Sequence, residues 1–529
     1  MSDNKLKSKA HNDYLSWGLD FGSYRSLIAY KHMDSNPETA RYKDKECIGG
    51  VPSEFWRTAD GKEYIGNDVI ELDGWIIDPA GQCDCIKMKL KNKSIVIYNH
   101  TYKPEEIALK LAKKIISVSK HYLKEGDNLE LTPKSIAMGV PVRFESATRG
   151  TLREVWSEAF SIPSKDVHIV SEPILAALAI NHFEKKNHTR PRLTYDMGHG
   201  TFDVCVLKPN PSPDYFNPEP FIAENPDGME IAGRFLDEVM EELIIEKLKK
   251  NPLSIKISIL ENKNHADRRR LRITARDVKE KLSKTNSATA IIAGAECGCQ
   301  MIEITRAEFE EKIKPHIAKT VDMAYDVFTK SGLKVGDKID ILLIGGSTYI
   351  PLIEKMLKQK FHWLSEENFC FSLRERAVSL GAAIYAESIA NGNTAVVAPK
   401  ISYGYAVETY SSKLGKTVLD VRIPSNAHLP QTIQGAYETR FDNQESVIFN
   451  IYEVTRGQAD EFLSLDQGTQ TKHFIEHKFG KKVPKGTSVE LTTTLSTDGI
   501  LTMKVEDTGI SSKPTEKTFT LANTVSEVQ

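Results

Sequence analysis

Apolar positions keep one rhythm through the first three quarters of this chain and another through the last. From Trp17 to about Glu387, short strand-like runs alternate with stretches of helical spacing, which predicts a layered α/β architecture. SWGLDFGSYRSLIAY reads as a strand, a turn and a second strand. PEEIALKLAKKIISVSKHYL from Pro104 and AGRFLDEVMEELIIEKLKK from Ala232 repeat apolar residues at the spacing of one helix face. KIDILLIGGSTYIP reads as a buried strand that runs into a Gly-Gly turn and then into the helix PLIEKMLKQKF.

The rhythm changes near Asn391, where NGNTAVVAPK reads as a connector of small apolar residues and proline. From Ile401 to about Leu521, SVIFNIYEV, TSVELTTTLS and ILTMKVED are rich in β-branched residues and separated by Asp-Asn, Pro-Lys-Gly and Asp-Gly turns. That is the pattern of an antiparallel β domain. The expected division is a polar extension at 1–15, an α/β domain at 16–389, a linker at 390–400, a β domain at 401–522 and a tail at 523–529.

Composition removes several function classes. The 529 residues carry a net charge of -2, so no global field recruits nucleic acid or anionic lipid. No apolar run approaches the ~18 residues that span a bilayer, and MSDNKLKSKAHNDY has no signal-peptide core, which places the protein in the cytoplasm. Seven cysteines fit reduced thiols better than a disulfide framework. The pairs Cys83/Cys85 and Cys297/Cys299 leave a four-thiolate zinc site as a minor alternative.

Three glycine turns follow apolar strands. Asp20-Phe-Gly22-Ser23 and Asp196-Met-Gly198-His199-Gly200-Thr201 combine an acid with a turn able to present backbone N–H groups to phosphate oxygens. Gly345-Gly346-Ser347-Thr348 lets the backbone approach a ligand closely. A single turn of this kind is ordinarily structural. Two turns in the first half and one in the second point to two lobes around a cleft.

The order of these motifs resembles the nucleotide-binding domain of DnaK-type heat shock protein 70 chaperones, in the actin and sugar-kinase superfamily. GLDFGS is similar to the first phosphate loop, YDMGHGTFD to the second, VSEPILAALA to the connecting motif and LIGGSTYIP to the adenosine motif. VPVRFESATRGTLREVW resembles the segment that couples nucleotide to the rest of the protein, and FDNQESVIFNIYE with STDGILTMKVED resembles the β substrate-binding domain. The resemblance covers about residues 17 to 521. It implies a two-lobed, actin-like (ribonuclease H-like) ATPase domain followed by an antiparallel β-sandwich that holds extended polypeptide.

The resemblance further implies ATP/ADP and Mg²⁺ as cofactors, with Asp20 and Asp196 organising Mg²⁺ through its waters. Lys87 and Glu172 would position the attacking water and Thr201 would contact the γ-phosphate, with Lys89 a rival to Lys87 in the basic run KMKLKNK. Gly22, Ser23, Tyr24, Gly198, His199, Gly200, Gly233, Lys279, Ser283, Gly345, Gly346, Ser347, Tyr349 and Glu375 would line the nucleotide. Lys279 and Ser283, four apart, share a helix face. Pro141 and Arg149 stand for the coupling switch. Val407, Tyr410, Tyr437 and Val447 match the apolar pocket and arch of the peptide cleft, and hydrophobicity alone reads each equally well as sandwich core.

Several positions depart from the family pattern. His199 replaces a glycine, at a cost of roughly 1 kcal/mol if the position requires positive φ. Arg234 and Arg276 replace acids and add positive charge near an anionic ligand, Tyr349 replaces an arginine, and Arg440 replaces a small arch residue, which implies a different peptide preference. His168 and Ser171 replace Arg and Asn where J-domain partners are recognised. AVVA lacks the usual leucines of the linker, and the few residues after Leu521 leave no room for a helical lid, which implies fast peptide exchange. The leading expectation is an ATP-driven chaperone acting on extended polypeptide. A nucleotide-gated docking module for one dedicated client is the alternative, and a small-molecule kinase is disfavoured by the β domain.

Overall fold

The computed structural model describes residues 15–32, 35–40, 50–72, 78–123, 133–141, 144, 146–184, 190–209, 221–250, 255–391, 404–425, 427, 430–454, 457–496, 500–507, 510 and 513–519. The polar extension, the AVVA linker and the C-terminal tail fall outside the described residues.

Two mixed sheets build the α/β part. In the first, Leu15–Asp20 and Arg25–His32 form an antiparallel hairpin. Ile136–Val140 and Val167–Ser171 add in parallel on one side of it, and Glu38–Thr39 pairs on the other. The second sheet repeats this path: an antiparallel hairpin of Arg192–Met197 and Phe202–Pro209, parallel strands Asp340–Ile344 and Phe369–Cys370 on one side, and Phe221–Met229 on the other. A duplicated path of this kind is the expected two-lobed actin-like ATPase fold. It puts Asp20 and Asp196 at equivalent places, near the ends of the first strand of each hairpin.

The helices Glu172–Glu184 and Ala377–Ala390 join the two sheets. Their buried alanines and leucines share one core with Ala29 and Ala137 of the first sheet and Leu207, Leu342 and Ile344 of the second. A helix covered on both sides has no polar stripe, which is why EPILAALAI is apolar nearly throughout. The last helix stops at Ala390, with Asn391 as its C-cap.

The β part is a sandwich of two antiparallel sheets. One runs in the order Phe462–Leu463, Lys416–Ile423, Gly404–Ser411, Gln444–Val454, Gly468–Val483, and the other Gln431–Glu438, Ser488–Leu495, Leu501–Asp507, Thr515–Phe519. Alternating apolar residues such as Val489, Leu491, Leu501, Met503 and Val505 meet Phe449, Ile451 and Ile475 in the core. His477 fastens the sheets together: Nε2 lies 2.9 Å from Asp507 Oδ2 and Nδ1 2.8 Å from Thr515 Oγ1. Val407 faces Ile451, and Gln444 faces Val483. That register gathers the 412–415 turn, the 439–443 loop and the 484–487 turn at one end. No described helix is long and apolar enough to cross a membrane.

Candidate functional site

Lys87 enters the site from the short helix Ile86–Lys89, reached through Cys85 in the left-handed region at φ 50°. Residues two apart on a helix point to nearly opposite sides. Lys87 is therefore buried, with Nζ 2.5 Å from Glu172 Oε1, while Lys89 stays nearer the rim and pairs with Asp84 at 3.0 Å. The structure puts Lys87, not Lys89, against the glutamate.

Glu172 is the first residue of its helix, immediately after a strand, so its side chain reaches the cleft from a rigid junction. Asp20 faces Glu172 and Lys87, and burial, with Glu172 beside it, raises its pKa to about 7. Asp196 is raised well above the usual carboxylate range by burial and then by Glu172, Asp203 and Asp20, with Lys87 opposing. Carboxylates from both lobes thus converge on one lysine. Carboxyls raised by burial and by one another ionise more readily with a cation beside them. Among the described residues no group of three or more such side chains is placed to ligate a metal directly, which suits a divalent cation held through its waters.

The first two glycine turns meet above this cluster. The Gly198 N–H donates to the Thr201 carbonyl at 3.1 Å and closes the second turn, and the Gly198 carbonyl accepts from Gly233 N–H at 3.0 Å and Ser347 Oγ at 2.8 Å. Gly22 is braced by Ser53 Oγ, which donates to its carbonyl at 2.6 Å. A Cβ on Gly200 would come within 2.7 Å of Ser23 Oγ, so the two glycine turns touch. Gly345 holds φ at 82°, and a Cβ there would meet the Met197 carbonyl oxygen at 2.3 Å; no other residue fits this approach.

Farther out, Arg276 from the helix Ala266–Leu282 lies over the Tyr24 ring, 4.0 Å from its centroid. Its Nε binds Asp237 Oδ2 at 3.0 Å, and Lys279 Nζ binds Asp237 Oδ1 at 2.6 Å and donates to the Gly233 carbonyl at 3.3 Å. The His199 ring stands 5.2 Å from that of Tyr24. Burial, and then the nearby Arg276, lowers the His199 pKa to about 3, so the imidazole is neutral at physiological pH. Ser283 caps its helix, with Oγ donating to the Lys279 carbonyl at 3.4 Å. Tyr349 is half exposed and carries the Arg374 guanidinium 4.6 Å from its ring centroid. Glu375 approaches Gly346: a Cβ there would lie 3.6 Å from its Oε1. Pro141 accepts a hydrogen bond from Phe144 N–H, and Arg149 Nε donates to the Phe144 carbonyl at 3.0 Å, bracing the turn after Val140.

In the sandwich, Val407 is wholly inside the core and Val447 packs against it. The Tyr437 ring meets Phe449 edge-on at 4.9 Å, and its hydroxyl donates to Asp420 Oδ2 at 2.5 Å. Tyr410 is exposed beneath Arg440, whose guanidinium lies 3.8 Å from the ring centroid.

A family model described as Hsp70 protein matches residues 81–528. The chain belongs to the Hsp70 family. It is 26% identical over 426 residues to a chaperone protein DnaK of Mycoplasmopsis pulmonis (strain UAB CTIP), across 78% of this chain and 64% of that relative. The chain therefore spans a little under two thirds of the relative's length.

Several expectations for this Hsp70 chain change with the geometry. His199 does not occupy positive φ, nor do its neighbours Gly198 and Gly200, so the backbone cost expected for histidine does not arise. Arg276 shares the buried Asp237 with Lys279, and Arg234 turns toward Cys85 Sγ at 3.7 Å and Glu238 at 3.8 Å. Two cations share the single carboxylate of Asp237, so positive charge remains beside His199. His168 is buried near Tyr385 and Ser171 is buried at the end of its strand, so neither offers a docking surface. Cys83 belongs to one hydrophobic core and Cys297 to another, which removes the four-thiolate zinc alternative.

Sequence reasoning missed Asp237 and the Asp420–Arg422 pair. Asp237 sits in DEVMEELIIEKLKK among acids that solvate an ordinary helix face. Arg422 is buried and donates to Asp420 Oδ2 at 3.0 Å, Asp460 Oδ1 at 2.9 Å and the Gln434 carbonyl at 2.7 Å. Within TVLDVRI the alternation of Asp420 and Arg422 with apolar residues mimics a solvent face, so no sequence signal marks this pair as interior.

Proposed function

We propose that the α/β domain binds Mg²⁺-ATP in its cleft and hydrolyses it, and that the nucleotide state alters the grip of the β domain on extended polypeptide. The observation that carries this reading is the convergence of Asp20, Asp196 and Glu172 on Lys87 beneath two phosphate turns. When bound, Mg²⁺ supplies positive charge for the phosphates and for the charge that develops in phosphoryl transfer. Asp20 and Asp196 would hold it through its waters. Glu172 would accept a hydrogen bond from the attacking water, and Lys87, paired with that carboxylate, would help position the same water. Thr201 and the backbone of Gly198 to Gly200 orient the terminal phosphate, while Gly345, Gly346 and Ser347 leave room for the nucleoside.

Support for the polypeptide half is the sandwich itself and the exposed Tyr410 and Arg440 at its loop end. Peptide recognition of this kind draws affinity from main-chain hydrogen bonds and preference from side-chain contacts. Linkage makes the coupling reciprocal, so peptide must also shift nucleotide affinity. The partner is an extended polypeptide or a dedicated client, in a cytoplasmic setting.

Calorimetric titration of ATP with Mg²⁺, compared with EDTA and with Asp196→Asn, tests the nucleotide half. Metal-dependent binding that Asp196→Asn weakens about tenfold or more supports it; equal binding in all three contradicts it.

A further inference from the structure

We propose that the loop end of the β-sandwich selects extended peptides in which an apolar residue is flanked by carboxylates. This inference rests on the polypeptide-binding reading above and names its substrate class.

The 439–443 loop is fixed rather than loose. Gln444 Oε1 accepts from the backbone N–H of Arg440 at 3.1 Å and of Phe441 at 3.4 Å, and Thr439 Oγ1 donates to the Pro484 carbonyl at 2.7 Å. Asn443 completes the turn at φ 62°. The Arg440 side chain is fixed as well, lying 3.8 Å from the Tyr410 centroid and 5.1 Å from that of Phe441. A guanidinium packed on aromatic faces keeps its charge and its outward N–H groups. Among the described residues Arg440 forms no ion pair, so its donors remain for a ligand carboxylate.

The surroundings carry a net charge of the same sign. Lys413 and Lys485 are exposed on the turns that the register gathers at this end, and Lys481 and Lys482 are exposed near the end of the strand Gly468–Val483 beside them. Of the nearby acids, Asp442 Oδ1 accepts from the Lys485 backbone at 2.9 Å, Glu445 lies 3.9 Å from Lys482, and Glu438 is exposed at the strand end before Thr439. Tyr410, Leu414 and Phe441 are all exposed here and supply apolar surface between the charges. Aromatic rings beside a held guanidinium within a basic rim complement an apolar residue with acidic neighbours. A lysine-flanked peptide meets a net excess of like charge.

Fluorescence anisotropy on the full chain tests this with two labelled peptides that share a leucine and valine centre and differ only in Glu or Lys flanks. The wild type should bind the Glu-flanked peptide about five-fold tighter, a preference that fades at high salt. Arg440→Glu should reverse the order, and tighter binding of the Lys-flanked peptide is a gain that misfolding cannot produce. Equal affinities in the wild type, or an unchanged order in Arg440→Glu, overturn the acidic preference and leave polypeptide binding standing. Failure to bind either peptide overturns the polypeptide reading and this inference with it.

Discussion

Lys87 Nζ lies 2.5 Å from Glu172 Oε1 in a chamber where Asp20 and Asp196 face the same pair. The lysine is buried and restrains a cluster of carboxylates that would otherwise repel one another. Replacing Lys87 with methionine should lower single-turnover ATP hydrolysis about a hundred-fold or more while nucleotide affinity changes only a few-fold. Rapid-quench measurements beside nucleotide titration check both halves. A variant that loses binding and hydrolysis together would assign Lys87 a structural role.

Metal affinity should depend on pH in a stated direction. Burial and Glu172 raise Asp20 to about 7, so without metal it carries its proton up to neutrality. A raised carboxyl contributes stability below its ordinary value and loses it as pH rises through about 7. Mg²⁺ requires the ionised form, so its binding releases a proton and tightens with rising pH. The gain in melting temperature from Mg²⁺-ADP over EDTA should therefore widen between about pH 6 and pH 8. A gap that narrows over that range contradicts the assignment.

The contact of Arg276 with Tyr24 at 4.0 Å joins the two lobes across the mouth of the cleft. A cation over an aromatic face contributes about 0.5–2 kcal/mol. Arg276→Gln should speed release of a fluorescent ADP about five-fold, and Tyr24→Ala should match it. Tyr24→Phe keeps the ring and should stay near wild type. Stopped-flow displacement separates these variants.

The glycine turns, the place of Glu172 at a strand–helix junction and the β domain were legible because each depends on local residues: a strand, a glycine turn, a hydroxyl, or alternation of period two. The lobe-to-lobe contacts were not. Arg276 reads from the sequence as an added charge near phosphate, and only tertiary structure turns it onto Tyr24 and Asp237. The conformation of His199 was equally hidden, because glycine in a loop does not reveal whether positive φ or simple lack of bulk is needed. In the sandwich, Val407 and Tyr410 have similar sequence surroundings, yet one is core and the other exposed. Hydrophobicity alone gives no basis for separating them.

His477 binds Asp507 at 2.9 Å and Thr515 at 2.8 Å, tying one sheet of the sandwich to the other inside the core. Removing one member leaves buried polar groups without their hydrogen bonds. His477→Leu should lower the stability of the β domain by about 2 kcal/mol in denaturant titration. Hydrolysis in the absence of peptide should remain unchanged, since no part of this cluster reaches the nucleotide cleft.

The most direct test of the central claim is single-turnover ATP hydrolysis with Mg²⁺, with and without an extended apolar peptide, in the wild type and in Thr201→Ala. The account predicts turnover that peptide accelerates and that Thr201→Ala abolishes. Tight ATP binding with no turnover in any condition would contradict it and leave a nucleotide-gated docking protein.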